Sequence, residues 1–183
     1  MAINLEKGQR ESINAPKFIV GLGWDSNSSS TGEDFDLDAS VFILADNGKL
    51  VSDSHFIFYN NTTSPDGGVV HTGDNRTGAG DGDDEVLNID LAKLDSKVTE
   101  ITFVVTIHKG EERRQNFGQV RNSYIRILDE KNEVIVKYEL DEDFSIETAV
   151  EFGRLYKKND QWKFEAVGSG MKGGLEEYIN KYQ

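Results

Sequence analysis

The sequence predicts an all-β-dominated fold: a β-sandwich of two sheets with short helices or helical turns, one of them C-terminal. Two observations lead there. Many short runs alternate apolar and polar residues, with turn signals at roughly 8–12-residue spacing. Composition agrees, since 18 glycines and only 2 prolines accompany those runs in 183 residues. The length and a hydrophobic share of 37% suit one well-buried core, and no linker rich in Pro, Gly or Ser divides the chain, so residues 1–183 are read as a single domain.

Each element has its own signal. Lys17 to Trp24 is a strand carrying Gly21 and Gly23, and Asp38 to Leu44 is another, closed by the turn Asp46-Asn47-Gly48. Phe56, Phe58 and Tyr59 mark a third, ending at Asn60-Asn61. Val86 to Leu91 sets Leu87, Ile89 and Leu91 against Val86, Asn88 and Asp90, the period of a half-buried strand. Ile101 to Ile107 is nearly all apolar and β-branched, which predicts a central strand covered on both faces. Gly110 to Gln119 reads as a loop or one-turn helix. Tyr124 to Leu128 and Val134 to Leu140 are strands joined by a turn at Asp129 to Asn132. Val150 to Tyr156 and Trp162 to Ala166 flank Asn159-Asp160 and are read as a hairpin in preference to a helix and strand. Leu175 to Tyr182, after Gly173-Gly174, is a short terminal helix.

Composition removes several function classes. A net charge of −13 opposes nucleic-acid binding, which needs clustered Lys and Arg. The absence of cysteine excludes disulfides, thiolate nucleophiles and zinc–thiolate sites. Met1 to Glu6 lacks the basic and apolar regions of a secretory signal, and no apolar run is long enough to span a bilayer. A cytoplasmic protein is the expectation. A calcium site there needs a dissociation constant of roughly micromolar or tighter.

Two acid-rich segments carry the functional signal. Residues 73–85 hold five carboxylates, Asn75 and four glycines with one apolar side chain, Ala79. Such a segment cannot pack a core, and its like charges repel when compact. Upstream, Asp25 follows Trp24, and Asp36 and Asp38 alternate with Phe35, Leu37 and Ala39. On a strand that period puts both carboxylates on one face, offering a second surface to the loop. The donors are all oxygen, which favours calcium over zinc, copper or iron. An EF-hand is rejected although Asp74 and Glu85 stand twelve positions apart inclusively. Arg76, Gly78 and Ala79 occupy positions where that loop needs two acids and a glycine, and the flanks are strands. A phosphate cradle on Gly78, Gly80 and Gly82 fails because the nearby carboxylates repel phosphate.

The ordered motifs are similar to those of the TerD family, the tellurium-resistance and stress-response proteins of bacteria. They are Gly21-Leu22-Gly23-Trp24-Asp25, Asp34-Phe35-Asp36-Leu37-Asp38-Ala39-Ser40, Phe56-Ile57-Phe58-Tyr59-Asn60 and His71-Thr72-Gly73-Asp74-Asn75. Gly80-Asp81-Gly82-Asp83-Asp84-Glu85, Phe103-Val104-Val105-Thr106-Ile107-His108 and Gln115-Asn116-Phe117-Gly118-Gln119-Val120 extend the likeness, which runs from Leu5 to about Leu175. The resemblance implies a TerD-like β-sandwich that binds two calcium ions and has no established enzymatic activity. It implies a bacterial cytoplasmic protein acting beside paralogous Ter proteins and a TerC-type membrane partner, in resistance to tellurite, phages, colicins and envelope stress. Carried over by position, the calcium ligands are the carboxylates of Asp25, Asp36, Asp38, Asp74, Asp83, Asp84 and Glu85. The Asn75 side chain and backbone oxygens around Thr77 and Gly80 complete the shells. Ala79 departs from the acid that members often carry.

The three histidines sit near no evident nucleophile, and no catalytic residue is assigned. His71 is expected to orient the acidic loop through a hydrogen bond. The run Glu111-Glu112-Arg113-Arg114 reads as a solvated charge patch, and Trp24, Phe56, Phe58, Trp162 and Phe164 as core. Two other functions compete with a non-enzymatic calcium module. One is a metal-dependent phosphoester hydrolase, and the other a C2-like calcium-dependent binder of anionic lipid.

Overall fold

Strand β1 is Ile3–Leu5, β2 Arg10–Ser12, β3 Lys17–Ser26, β4 Leu37–Leu44, β5 Phe56–Ile57 and β6 Val69–Asp74. Then come β7 Glu85–Asp90, β8 Glu100–Ile107, β9 Val120–Leu128, β10 Val134–Glu139, β11 Ala149–Lys158, β12 Gln161–Met171 and helix α1 Leu175–Tyr182. This computed structural model describes residues 2–26, 37–74, 83–108, 112, 114, 116–140, 147–171 and 174–183. Among them the strands form two six-stranded sheets, ordered β1-β10-β9-β3-β7-β6 and β2-β12-β11-β8-β4-β5.

Alternation decides what each sheet buries. On β3, Phe18, Val20, Leu22 and Trp24 enter the core between the sheets, so Ile19, Gly21 and Gly23 belong to the outer face. Leu87 and Ile89 of β7 meet them from the next strand. Across the sandwich Leu37, Ala39, Val41 and Ile43 of β4, with Ile101, Phe103, Val105 and Ile107 of β8, complete the same core. The outer face of β8 is also covered. There Phe42, Leu44, Val104 and Ala149 pack under Tyr178 and Tyr182 of α1. Phe42 lies 5.0 Å from the Tyr182 ring and 6.4 Å from Tyr178, contacts worth about 0.5–1.5 kcal/mol each beyond area burial. The two-sided cover expected for 101–107 is therefore supplied by the second half of the core and by the helix.

The structure shortens three expected strands, the one from Val134 by a single residue, to Glu139. The strand expected through Tyr59 ends at Ile57. Asn61 causes this, because its side-chain amide donates to the Phe56 carbonyl at 2.7 Å while Phe58 and Asn61 exchange backbone hydrogen bonds and reverse the chain. Strand β7 stops at Asp90, whose carboxylate accepts from the Ala92 amide at 3.1 Å and starts a 3-10 turn at Leu91. The hairpin expected near the C-terminus is present. Asn159 and Asp160 have φ of 52° and 61°, the left-handed pair that a two-residue turn requires, and Lys158 pairs with Gln161. Strands β1, β2 and β6 had no sequence signal of their own. Residues 117–119 form a 3-10 turn, while Lys109 to Glu111, Arg113 and Gln115 lie outside the described residues.

Candidate metal centre

Topology brings the two acidic segments to one end of the sandwich. Strand β3 leaves at Ser26 and the chain re-enters at Leu37 of β4; β6 leaves at Asp74 and the chain re-enters at Glu85 of β7. Glu85 pairs with Leu22 of β3 and with Asp74 of β6, and its Oε1 accepts from the Ala39 amide of β4 at 3.3 Å. That last bond crosses from one sheet to the other. All four strand ends thus converge on Glu85.

The three consecutive acids at this point take different environments. Glu85 follows the alternation of Leu87 and Ile89 into the interior, where it is 1% exposed. Its Oε2 accepts from His71 Nε2 at 2.6 Å, and His71 is itself only 5% exposed. The orienting hydrogen bond expected of His71 therefore falls on Glu85. Asp84, 6% exposed, sits at a bend; its amide donates to the Leu22 carbonyl and its Oδ2 accepts from the Trp24 amide, both at 2.8 Å. Asp83 turns to the outer face of the first sheet. There Arg126 of β9 grips it with Nε to Oδ1 at 2.9 Å and Nη2 to Oδ2 at 3.1 Å. The Tyr124 hydroxyl adds a third bond to Oδ1 at 2.8 Å. Burial, followed by the bond to Asp83, pushes the Tyr124 phenol well above its usual range, which keeps it a donor.

Glycine makes this outer arrangement possible. A Cβ on Gly21 would stand 2.2 Å from Asp83 Oδ2, and one on Gly23 would stand 2.4 Å from the Tyr124 ring. Both side chains lie flat on bare backbone. Composition and motif spacing missed Arg126 and Tyr124. The available signal was a pair of glycines two apart on one strand face, matched by two polar residues two apart on another strand.

Of the other expected ligands, Asp38 is half-buried and alternates with Leu37 and Ala39, which face the core. It therefore shares the outer face of the second sheet with Thr106, its partner on β8, while Glu85 points between the sheets. Asp25 and Asp74 occupy the converging ends of β3 and β6, and their side chains lie outside the described residues. Asp36, Asn75, Thr77 and Gly80 lie outside them altogether. Among the described residues no three His, Asp or Glu side chains are grouped to hold a metal. The carboxylate oxygens of Asp84 and Glu85, buried where the two acidic segments meet, are the hard donors that suit calcium or magnesium, and so they fit such an ion. His55, by contrast, bonds Ser52 Oγ through Nδ1 at 2.7 Å, and His108 is exposed.

The sequence profile of the TerD domain matches residues 1–182. The chain belongs to the TerD family. Tellurium resistance protein TerD of Serratia marcescens is 54% identical over the whole chain and 97% of its own length. General stress protein 16U of Bacillus subtilis (strain 168) is 50% identical over the same shares. The crystal structure of a telluride resistance protein homologue from Streptomyces coelicolor A3(2) superposes with a TM-score of 0.73 at 18% identity, covering 91% of this chain and 96% of that one. That likeness establishes the TerD-like fold, and the relatives place the chain in a tellurium-resistance and stress-response family. Among the described residues of this TerD-family chain, no helix is long and apolar enough to cross a membrane.

Proposed function

We propose that this TerD-family chain is a non-enzymatic calcium-binding module, holding two ions, in a bacterial cytoplasmic stress response that includes tellurite resistance. The observation that carries the reading is the convergence of both acidic segments on buried Asp84 and Glu85. Clustered carboxylates at one end of a rigid sandwich disfavour the folded state until a cation offsets their charge, so binding free energy becomes stability. Asp84 and Glu85 would supply oxygens beside the acids at the ends of β3 and β6. Trp24, Ala39 and His71 would hold those oxygens in place, as outer partners orient metal ligands elsewhere. A calcium-ordered end of the sandwich would then present a surface to paralogous Ter proteins or a TerC-type membrane protein.

Melting in chelator-cleaned, low-salt buffer tests the reading. Calcium at one hundred times its dissociation constant should add about 2.7 kcal/mol of stability for each ion bound, with little effect from magnesium. Calorimetry should return two ions per chain, and Asp84→Asn should weaken binding without unfolding the calcium-free protein. An unchanged melting temperature in calcium overturns the reading. Metal-dependent turnover of a phosphoester panel or calcium-dependent sedimentation with anionic vesicles would replace it with an enzyme or a lipid binder.

A further inference from the structure

Strict alternation along the chain would put Asp83 on the same side as Glu85, two residues on. The bend at Asp84 sends it to the opposite side, over Gly21 on the outer face of the first sheet. Three fixed groups receive it there: both arms of the Arg126 fork, the Tyr124 hydroxyl, and a glycine floor with no side chain in the way. The Arg126 guanidinium lies 5.7 Å from the centre of the Tyr124 ring, and Lys137 Nζ lies 5.0 Å from the same ring. Arg126 and Tyr124 are thereby held by each other as well as by Asp83. With a side chain only 9% exposed, Asp83 is docked into the sheet surface.

We propose that Asp83, Arg126 and Tyr124 form a latch that fixes the chain as it enters β7 and so aims Asp84 and Glu85 at the cation. Asp83 belongs to the latch and not to the ligand set, and Arg126 is a positioning residue. The reason is geometric. The Asp84 amide can reach the Leu22 carbonyl, and the Asp84 carboxylate the Trp24 amide, only while the chain bends between Asp83 and Glu85. The latch holds one side of that bend and the Glu85–His71 pair holds the other. It also keeps a third carboxylate from crowding the two buried ones, whose mutual repulsion would rise in a low-dielectric interior.

This inference rests on the calcium reading, and the sign of one substitution tests it. As a positioning residue, Arg126→Gln should weaken calcium binding by roughly tenfold, the scale seen when outer-shell partners of metal ligands are removed. Gly21→Ala should do the same, because its methyl displaces the Asp83 carboxylate while leaving Arg126 intact. Arg126→Lys should restore part of the affinity. If Asp83 were a ligand instead, Arg126 would compete with the ion and Arg126→Gln would tighten binding. Tighter or unchanged affinity therefore overturns the latch. Amide hydrogen exchange in the calcium-free protein separates this from the function itself. Arg126→Gln and Gly21→Ala should speed exchange of the Asp84 and Trp24 amides at least tenfold over that of the β8 core. Unchanged exchange sinks the latch, whereas a wild-type chain that takes up no calcium sinks only the reading beneath it.

Discussion

The corner at Asp83 to Glu85 and the outer face of the second sheet handle their carboxylates in opposite ways. At the corner, three acids adjacent in sequence are sent to three surroundings: an arginine fork outside the first sheet, a β3 amide, and an imidazole between the sheets. On the outer face, two acids far apart in sequence are gathered around one guanidinium, with a third nearby. Strand register places Arg154 of β11 opposite Glu165 of β12, and Glu100 of β8 closes on it from the other side. Glu151 lies in the same 320 Å³ recess beneath α1, beside Lys181 and Tyr182. Charge density along a chain therefore says little about charge density in space. A gathered cluster that carries its own guanidinium is structural. A divided cluster with two members buried at the meeting of acidic segments is the better place for an added cation.

The largest test of this contrast is at His71. In the calcium-free protein His71→Ala leaves the buried Glu85 without its 2.6 Å hydrogen bond and opens a small cavity, so urea unfolding should show a loss of about 3 kcal/mol. A loss below about 1 kcal/mol would mean that the inner half of the corner is not held as described. Arg154→Met comes next. It strips the guanidinium from Glu100 and Glu165, which are about four-fifths buried, and should destabilise by about 2 kcal/mol with no change in calcium affinity. A changed calcium affinity would break the separation between the two regions.

Smaller effects sharpen the gathered cluster. Burial, the largest cause, raises the Glu151 carboxyl above the usual glutamate range; the Lys181 charge and the Tyr182 hydroxyl lower it by less. The folded chain thus holds that proton more tightly than the unfolded chain. Stability from this group is present below the unfolded pKa and is lost as pH rises through the higher folded value. Glu151→Gln removes the titration, so its stability relative to the wild type should climb between acidic and neutral pH. A difference that stays flat across a pH series of urea unfolding would contradict the burial argument. Smallest of all, Tyr182→Phe loses one 3.2 Å hydrogen bond to Glu151 and should cost about 0.5–1 kcal/mol in the same assay. Packing of α1 against Phe42 should persist, which the near-ultraviolet signal of the remaining helix tyrosine, Tyr178, would report.

Much of the fold was legible because its signals are local. The alternation of Lys17 to Trp24, the β-branched run at 101–107, the Asn159-Asp160 turn and the terminal helix each declare themselves within a dozen residues. Strand β5 was misread because Phe56 to Tyr59 looks extended until Asn61 caps it from beyond the run. Strand β6 has only two apolar residues, Val69 and Val70, and they are adjacent, so it shows no alternation; its place at a sheet edge comes from pairing with β7. At the candidate site, sequence identified the acidic segments and assigned His71 an orienting role. It could not tell that Asp38 faces away from Glu85, because period two fixes which residues share a face and not which face meets the core.

By itself, then, the sequence determined the strand-rich class, the family and the concentration of hard oxygen donors in two segments. Those depend on composition and on periods of two residues, which any window of chain displays. Only the tertiary structure decided which acid goes where. Asp83 parts from Asp84 and Glu85 because a bend and a glycine floor on β3 let Arg126, more than forty residues away in sequence, take it. Register between distant strands sets such partnerships, and it is fixed by the packing of both sheets at once.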